Sequence, residues 1–79
     1  MESPIKFVWT FYGMDAKGMA DHHVIHLKEF CQNHQMECLD SGVETVNENA
    51  ISAFLTIKEK DAIVAHPLLK PHEAFKLKA

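Results

Sequence analysis

Apolar and polar positions alternate most regularly in Ile5-Lys6-Phe7-Val8-Trp9-Thr10-Phe11-Tyr12, which predicts a β-strand. Ile5, Phe7, Trp9 and Phe11 fall on one face, uniformly apolar and suited to the floor of a core. Lys6, Val8, Thr10 and Tyr12 fall on the other, mixed face. Pro4 ends a lead-in from Met1 and sits ahead of the strand, where no hydrogen bond needs its missing donor. Gly13 allows a turn, and Asp15 is the expected N-cap of a helix running from about Ala16 to His34. Ala20, Val24, Leu27 and Cys31, flanked by Phe30, follow the helical i, i+3, i+4, i+7 spacing. His23 and His34 project toward that stripe, His22 and His26 lie on a flank, and Ile25 points away from the core.

A second strand is expected over Cys38–Val46, interrupted at Ser41-Gly42 by a bulge or a close backbone approach. Asn47-Glu48-Asn49 forms a turn into a third strand, Ala50–Lys58, and so suggests a hairpin. Ile51, Ala53, Leu55 and Ile57 make its apolar face; Ser52, Phe54 and Thr56 make a mixed one. A short helix opens at Lys60-Asp61, with Asp61 as N-cap, and is expected to end or kink at Pro67. Ala74–Lys78 alternates and predicts a short fourth strand with lysines guarding an edge.

The order strand, helix, strand, strand, helix, strand is that of the split βαβ, or ferredoxin-like, α+β fold in one domain. The first and third strands are then central, with both helices on one sheet face. Val8, Tyr12 and Phe54 remain on the uncovered face, and a homodimer joining two such faces would shelter them. A chain of 79 residues buries only roughly 60–65% of its unfolded surface, so a second copy suits its thin core.

The segment His66-Pro67-Leu68-Leu69-Lys70-Pro71, between a short helix and a strand-like tail, resembles the proline-bracketed turn of muconolactone isomerase-like chains. With the element order, the chain resembles small members of the dimeric α+β barrel superfamily, which also holds the antibiotic-biosynthesis monooxygenases. The resemblance covers nearly the whole chain but maps no catalytic residue. It implies a cavity between the sheet and its dimer mate for a small, often aromatic, molecule.

Composition narrows the functional classes. All eight basic residues are lysines and the net charge is −3, which argues against nucleic acid and against a clamped phosphate. No apolar run reaches a membrane span, and no secretory signal is visible, so the cytoplasm is the expected compartment. Six histidines would carry the charge from −3 toward +3 below about pH 6. Cys31 and Cys38 are expected to be reduced, partly buried thiols. No nucleophile elbow, phosphate loop or dinucleotide fingerprint is present, and no cofactor is expected.

The candidate ligand-binding residues are Val8, Thr10, Tyr12, Ser52, Phe54 and Thr56 on the mixed faces, with His72 at the cavity mouth. The same residues would serve a ligand-free dimer interface equally well. Glu73 next to His72 points to the opposite face in a strand, so the two do not form an acid–base pair. His22 and His26, four apart on a helix, are candidate metal ligands lacking a local third partner; the plain alternative is a polar flank. His23 borders the core, where burial keeps a ring neutral, but on the helix-covered side. The readings, in order, are a dimeric binder of a small organic molecule, a cofactor-free isomerase or monooxygenase-type enzyme using the same cavity, and a metal module through His22 and His26.

Overall fold

The computed structural model describes residues 3–77. Its elements are β1 (Ile5–Tyr12), α1 (Ala16–Asn33), β2 (Asp40–Asn47), β3 (Ala50–Ile57), α2 (Glu59–Leu69) and β4 (Glu73–Lys76). The four strands form one antiparallel sheet in the order β2-β3-β1-β4. β1 and β3 are therefore central, and the α+β, ferredoxin-like order expected from the sequence is the one observed. Gly13 adopts φ 96°, a conformation only glycine takes without cost, and its N–H donates to the Asn49 carbonyl at 2.9 Å. That bond ties the turn after β1 to the hairpin between β2 and β3.

Phe7 and Trp9 of β1 and Leu55 and Ile57 of β3 are buried with Leu27 and Cys31 of α1 and Ala62 and Ala65 of α2. Ala20 and Val24 of α1 pack with Ala53 in a smaller second cluster. The α1 stripe is the predicted one, extended to Ala16 at its start. α2 contributes the small side chains of Ala62 and Ala65 and the half-buried Leu69 to the core, while Ile63, Val64 and Leu68 are exposed. A polar tie supplements that thin contact: Trp9 Nε1 donates to the Leu69 carbonyl at 3.1 Å.

Asp15 occupies the expected N-cap position of α1, without a side-chain cap hydrogen bond. Other local expectations are corrected. His34 is not on the stripe; it is exposed at the helix end, with its ring stacked on Phe30 at 4.0 Å. α2 begins earlier than expected, with Lys58 at its N-cap and Asp61 inside the first turn. Pro67 lies inside α2 rather than ending it, and the helix runs on for two more residues to Leu69. The helix stops instead at Lys70, which takes a left-handed conformation (φ 48°) and donates its N–H to the His66 carbonyl at 2.9 Å. The bulge of β2 falls between Thr45 and Asn47, not at Ser41-Gly42, where the pairing is regular and the Phe54 ring makes a close approach to Gly42. Cys38 is exposed rather than partly buried, whereas Cys31 is buried. β4 is shorter than predicted; Lys78 lies outside the described residues.

Lys70→Gly relieves the left-handed backbone of a residue with a Cβ. It is expected to raise stability by roughly 0.5–1 kcal/mol, seen as a higher denaturant midpoint at unchanged slope.

Candidate functional site

Residues paired across an antiparallel ladder share a sheet face. β1 and β3 pair Lys6 with Thr56, Val8 with Phe54, Thr10 with Ser52 and Tyr12 with Ala50. The candidates Val8, Thr10, Tyr12, Ser52, Phe54 and Thr56 therefore all lie on the face opposite Phe7 and Trp9. β2 adds Gly42 beside Phe54 and Glu44 beside Ser52; β4 adds Glu73 beside Val8 and Phe75 beside Lys6. The middle of this face is sheltered by its own side chains, with Val8, Ser52 and Thr56 at 9%, 3% and 6% exposure. Its periphery is open: Tyr12 is 70% and Phe75 47% exposed.

Three features at its centre were not among the sequence candidates. The Phe54 ring lies over Gly42, where an added Cβ would come within 3.2 Å of two ring carbons. The Lys6 ammonium stands 4.6 Å from the centre of that ring and donates to Glu44 Oε1 at 2.8 Å. A cation–π contact and an ion pair thus cross β3 together. Beside them the hydroxyls of Thr10 and Ser52 are 3.0 Å apart. The alternation of β1 put Lys6 on this face, but only register brings Glu44 and Gly42 to it.

His72 meets the edge of β1 rather than the middle of the face. Its N–H donates to the Val8 carbonyl at 2.9 Å, and its ring Nδ1 accepts the Thr10 N–H at 2.9 Å. The imidazole takes the place of a strand carbonyl just beyond β4, which fixes its hydrogen on Nε2.

On α1, His22 and His26 face one another through Nε2 atoms 2.9 Å apart, and His26 Nδ1 lies 3.0 Å from Glu29 Oε1. Both rings are exposed. Among the described residues no three His, Cys, Asp or Glu side chains converge as a metal set. His23, on the covered side, packs edge-on to Trp9 at 4.7 Å and to Phe11 at 5.6 Å. Its Nε2 is buried without a partner. Burial holds its pKa below the usual histidine value, and positive charge on His26, His72 and His22 would lower it further.

A concavity of about 290 Å³ opens on the helix side, between α2, β1 and β4. Ile5, Phe7, Ala62, Ile63 and Ala74 form its apolar wall, and Glu59 and His66 its polar rim. Small side chains at Ala62 and Ala74 leave this space, which alternation alone does not reveal.

No family model, curated protein or solved structure matches the chain. What is established is the α+β architecture. Among the described residues no helix is long and apolar enough to cross a membrane.

His23 supplies a pH prediction. Its lowered pKa means that the unfolded chain binds the proton more readily, so stability is full above about pH 6.5 and falls as pH drops through the folded value. His23→Phe should flatten that slope and add roughly 1 kcal/mol at acid pH by removing an unpaired buried nitrogen. Chemical denaturation at several pH values measures both effects.

The thiols supply a second. Burial raises Cys31 to about 11, with Cys38 and Asp61 adding in the same direction. A disulfide reagent at neutral pH should titrate Cys38 quickly in the native protein, and Cys31 only on unfolding.

Proposed function

We propose that the chain is a homodimer that joins the open faces of two sheets and holds a small organic molecule between them. The observation that carries this reading is a sheet face with no helix over it. Its rim presents Tyr12 and Phe75 to solvent, around Val8, Phe54 and the Thr10–Ser52 hydroxyl pair. Exposed aromatic groups of this kind mark surfaces that meet a partner or ligand. Aromatic walls with two hydroxyls suit an apolar or aromatic molecule carrying one or two hydrogen-bonding groups. Kinship with the dimeric α+β barrel superfamily belongs to the same proposal and rests on architecture. A cofactor-free isomerase or monooxygenase would use this cavity too, but no group on the face stands out as an acid or base.

A second reading is favoured by the concavity beneath α2, which a monomer already possesses. An apolar molecule there would meet Phe7, Ala62 and Ala74, with His66 and Glu59 at the entrance.

The two readings separate by mutation. Tyr12 is exposed and supports no core contact, so Tyr12→Asp leaves the protomer folded while placing an unpaired charge in the proposed interface. It should weaken self-association at least about tenfold, a loss of roughly 1.4 kcal/mol, in sedimentation equilibrium. Phe54→Asp is a poorer probe, because Lys6 is positioned to neutralise the new carboxylate. A wild-type chain that sediments as a monomer at all accessible concentrations rules the dimer out. For the ligand, a small aromatic acid at a hundredfold excess over Kd should stabilise the protein by about 2.7 kcal/mol. If Ala62→Phe abolishes that gain and Tyr12→Asp does not, the molecule sits beneath α2.

A further inference from the structure

The start of α1 gathers soft and imidazole donors that neither sheet face uses. Met14, in the turn before the helix, lines one shallow depression together with Asp15 and with Gly18, Met19 and His22 of α1. His22 in turn faces His26 through the close pair of Nε2 atoms. We propose that Met14, Met19, His22 and His26 form a binding site for copper(I).

Three observations converge on that assignment. The first is the imidazole pair. Two histidines four apart on a helix can present their ring nitrogens to one ion, and here the two Nε2 atoms face each other at 2.9 Å. Held 2.9 Å apart, they share one hydrogen between them. An ion placed there takes both lone pairs, and the hydrogen moves to the free Nδ1 of His22.

The second is Glu29. Its carboxylate lies 3.0 Å from His26 Nδ1, so the ring hydrogen sits on that nitrogen and the Nε2 lone pair is left free. A carboxylate behind a ligating imidazole is the outer-shell arrangement that fixes ring orientation and raises donor strength.

The third is what stands beside the pair. Zinc takes three or four nitrogen, thiolate or carboxylate ligands, and among the described residues no such set converges. The thioethers of Met14 and Met19 share the depression with His22, and the Asp15 carboxylate stands at its wall. Thioether sulfur is a soft ligand that selects copper(I) over zinc or magnesium. Met14 is fully exposed, so its side chain is free to close over an ion without disturbing the core.

The test uses the untagged chain carrying Cys38→Ser, which removes the exposed thiol as a competing soft ligand while Cys31 stays buried. Copper(I) is titrated anaerobically against a chromophoric copper(I) chelator, and zinc(II) is titrated in parallel. One equivalent of copper(I) should be retained per chain, bound more tightly than zinc(II). His22→Ala with His26→Ala should weaken it by more than the roughly 10–100-fold expected for losing an outer-shell partner, and Glu29→Gln by about tenfold. Met14→Leu with Met19→Leu should lower copper(I) affinity and leave zinc(II) affinity as it was. These side chains lie outside the core, and an unchanged circular dichroism spectrum confirms folding. The assignment is overturned if the double histidine variant keeps its copper(I), if the double leucine variant binds copper(I) as the parent does, or if zinc(II) binds as tightly.

Discussion

The unbroken pairing of β1 with β3, residue against residue from Ile5–Ile57 to Tyr12–Ala50, is the constraint on which the molecule depends. A slip by one position would turn every side chain of a central strand to the other face. Either Phe7 and Trp9 of β1 or Leu55 and Ile57 of β3 would then leave the helices, and Val8 and Thr10, or Ser52 and Phe54, would be pressed beneath them. The register is held from both sides. Below, large apolar groups fill the space under α1; above, Lys6 reaches across Phe54 to Glu44 and can do so only in this alignment. Core and candidate site are two consequences of one strand pairing.

That dependence explains what the sequence made legible. Alternation in Ile5–Tyr12 and Ala50–Ile57 sorts both faces correctly, because successive side chains of a strand point to opposite sides, a local property. The helical spacing of Ala20, Val24, Leu27 and Cys31 is likewise local, and so was readable. Asp15 takes its expected N-cap position without a side-chain bond, and α2 runs two residues past Pro67. A capping residue or a helix breaker states a preference worth about 1 to 3 kcal/mol, which places a helix end only to within a residue or two. The candidate site was legible only in outline. Which residues share the open face follows from the strands, but Gly42 beneath the Phe54 ring, Glu44 against Lys6, and the His72 ring on the Thr10 amide are contacts between residues far apart in the chain.

The two helices are anchored unequally. α1 presses branched and sulfur-bearing side chains into the sheet, whereas α2 offers Ala62, Ala65 and the half-buried Leu69, with the bond from Trp9 to the Leu69 carbonyl. The concavity beneath α2 lies beside that thinner contact. A helix held by two alanines, one leucine and an indole bond is the part of the fold best able to shift outward around a guest, since fewer apolar contacts must be broken to move it.

The imidazole of His72 has a consequence of another kind. By accepting the Thr10 N–H it finishes a row of bonds that β4 is too short to complete. A side chain without an accepting ring nitrogen at this position would leave a bare backbone donor beside Tyr12, the kind of unfinished border onto which a foreign strand can zip. One lone pair on one ring thus closes this margin of the sheet.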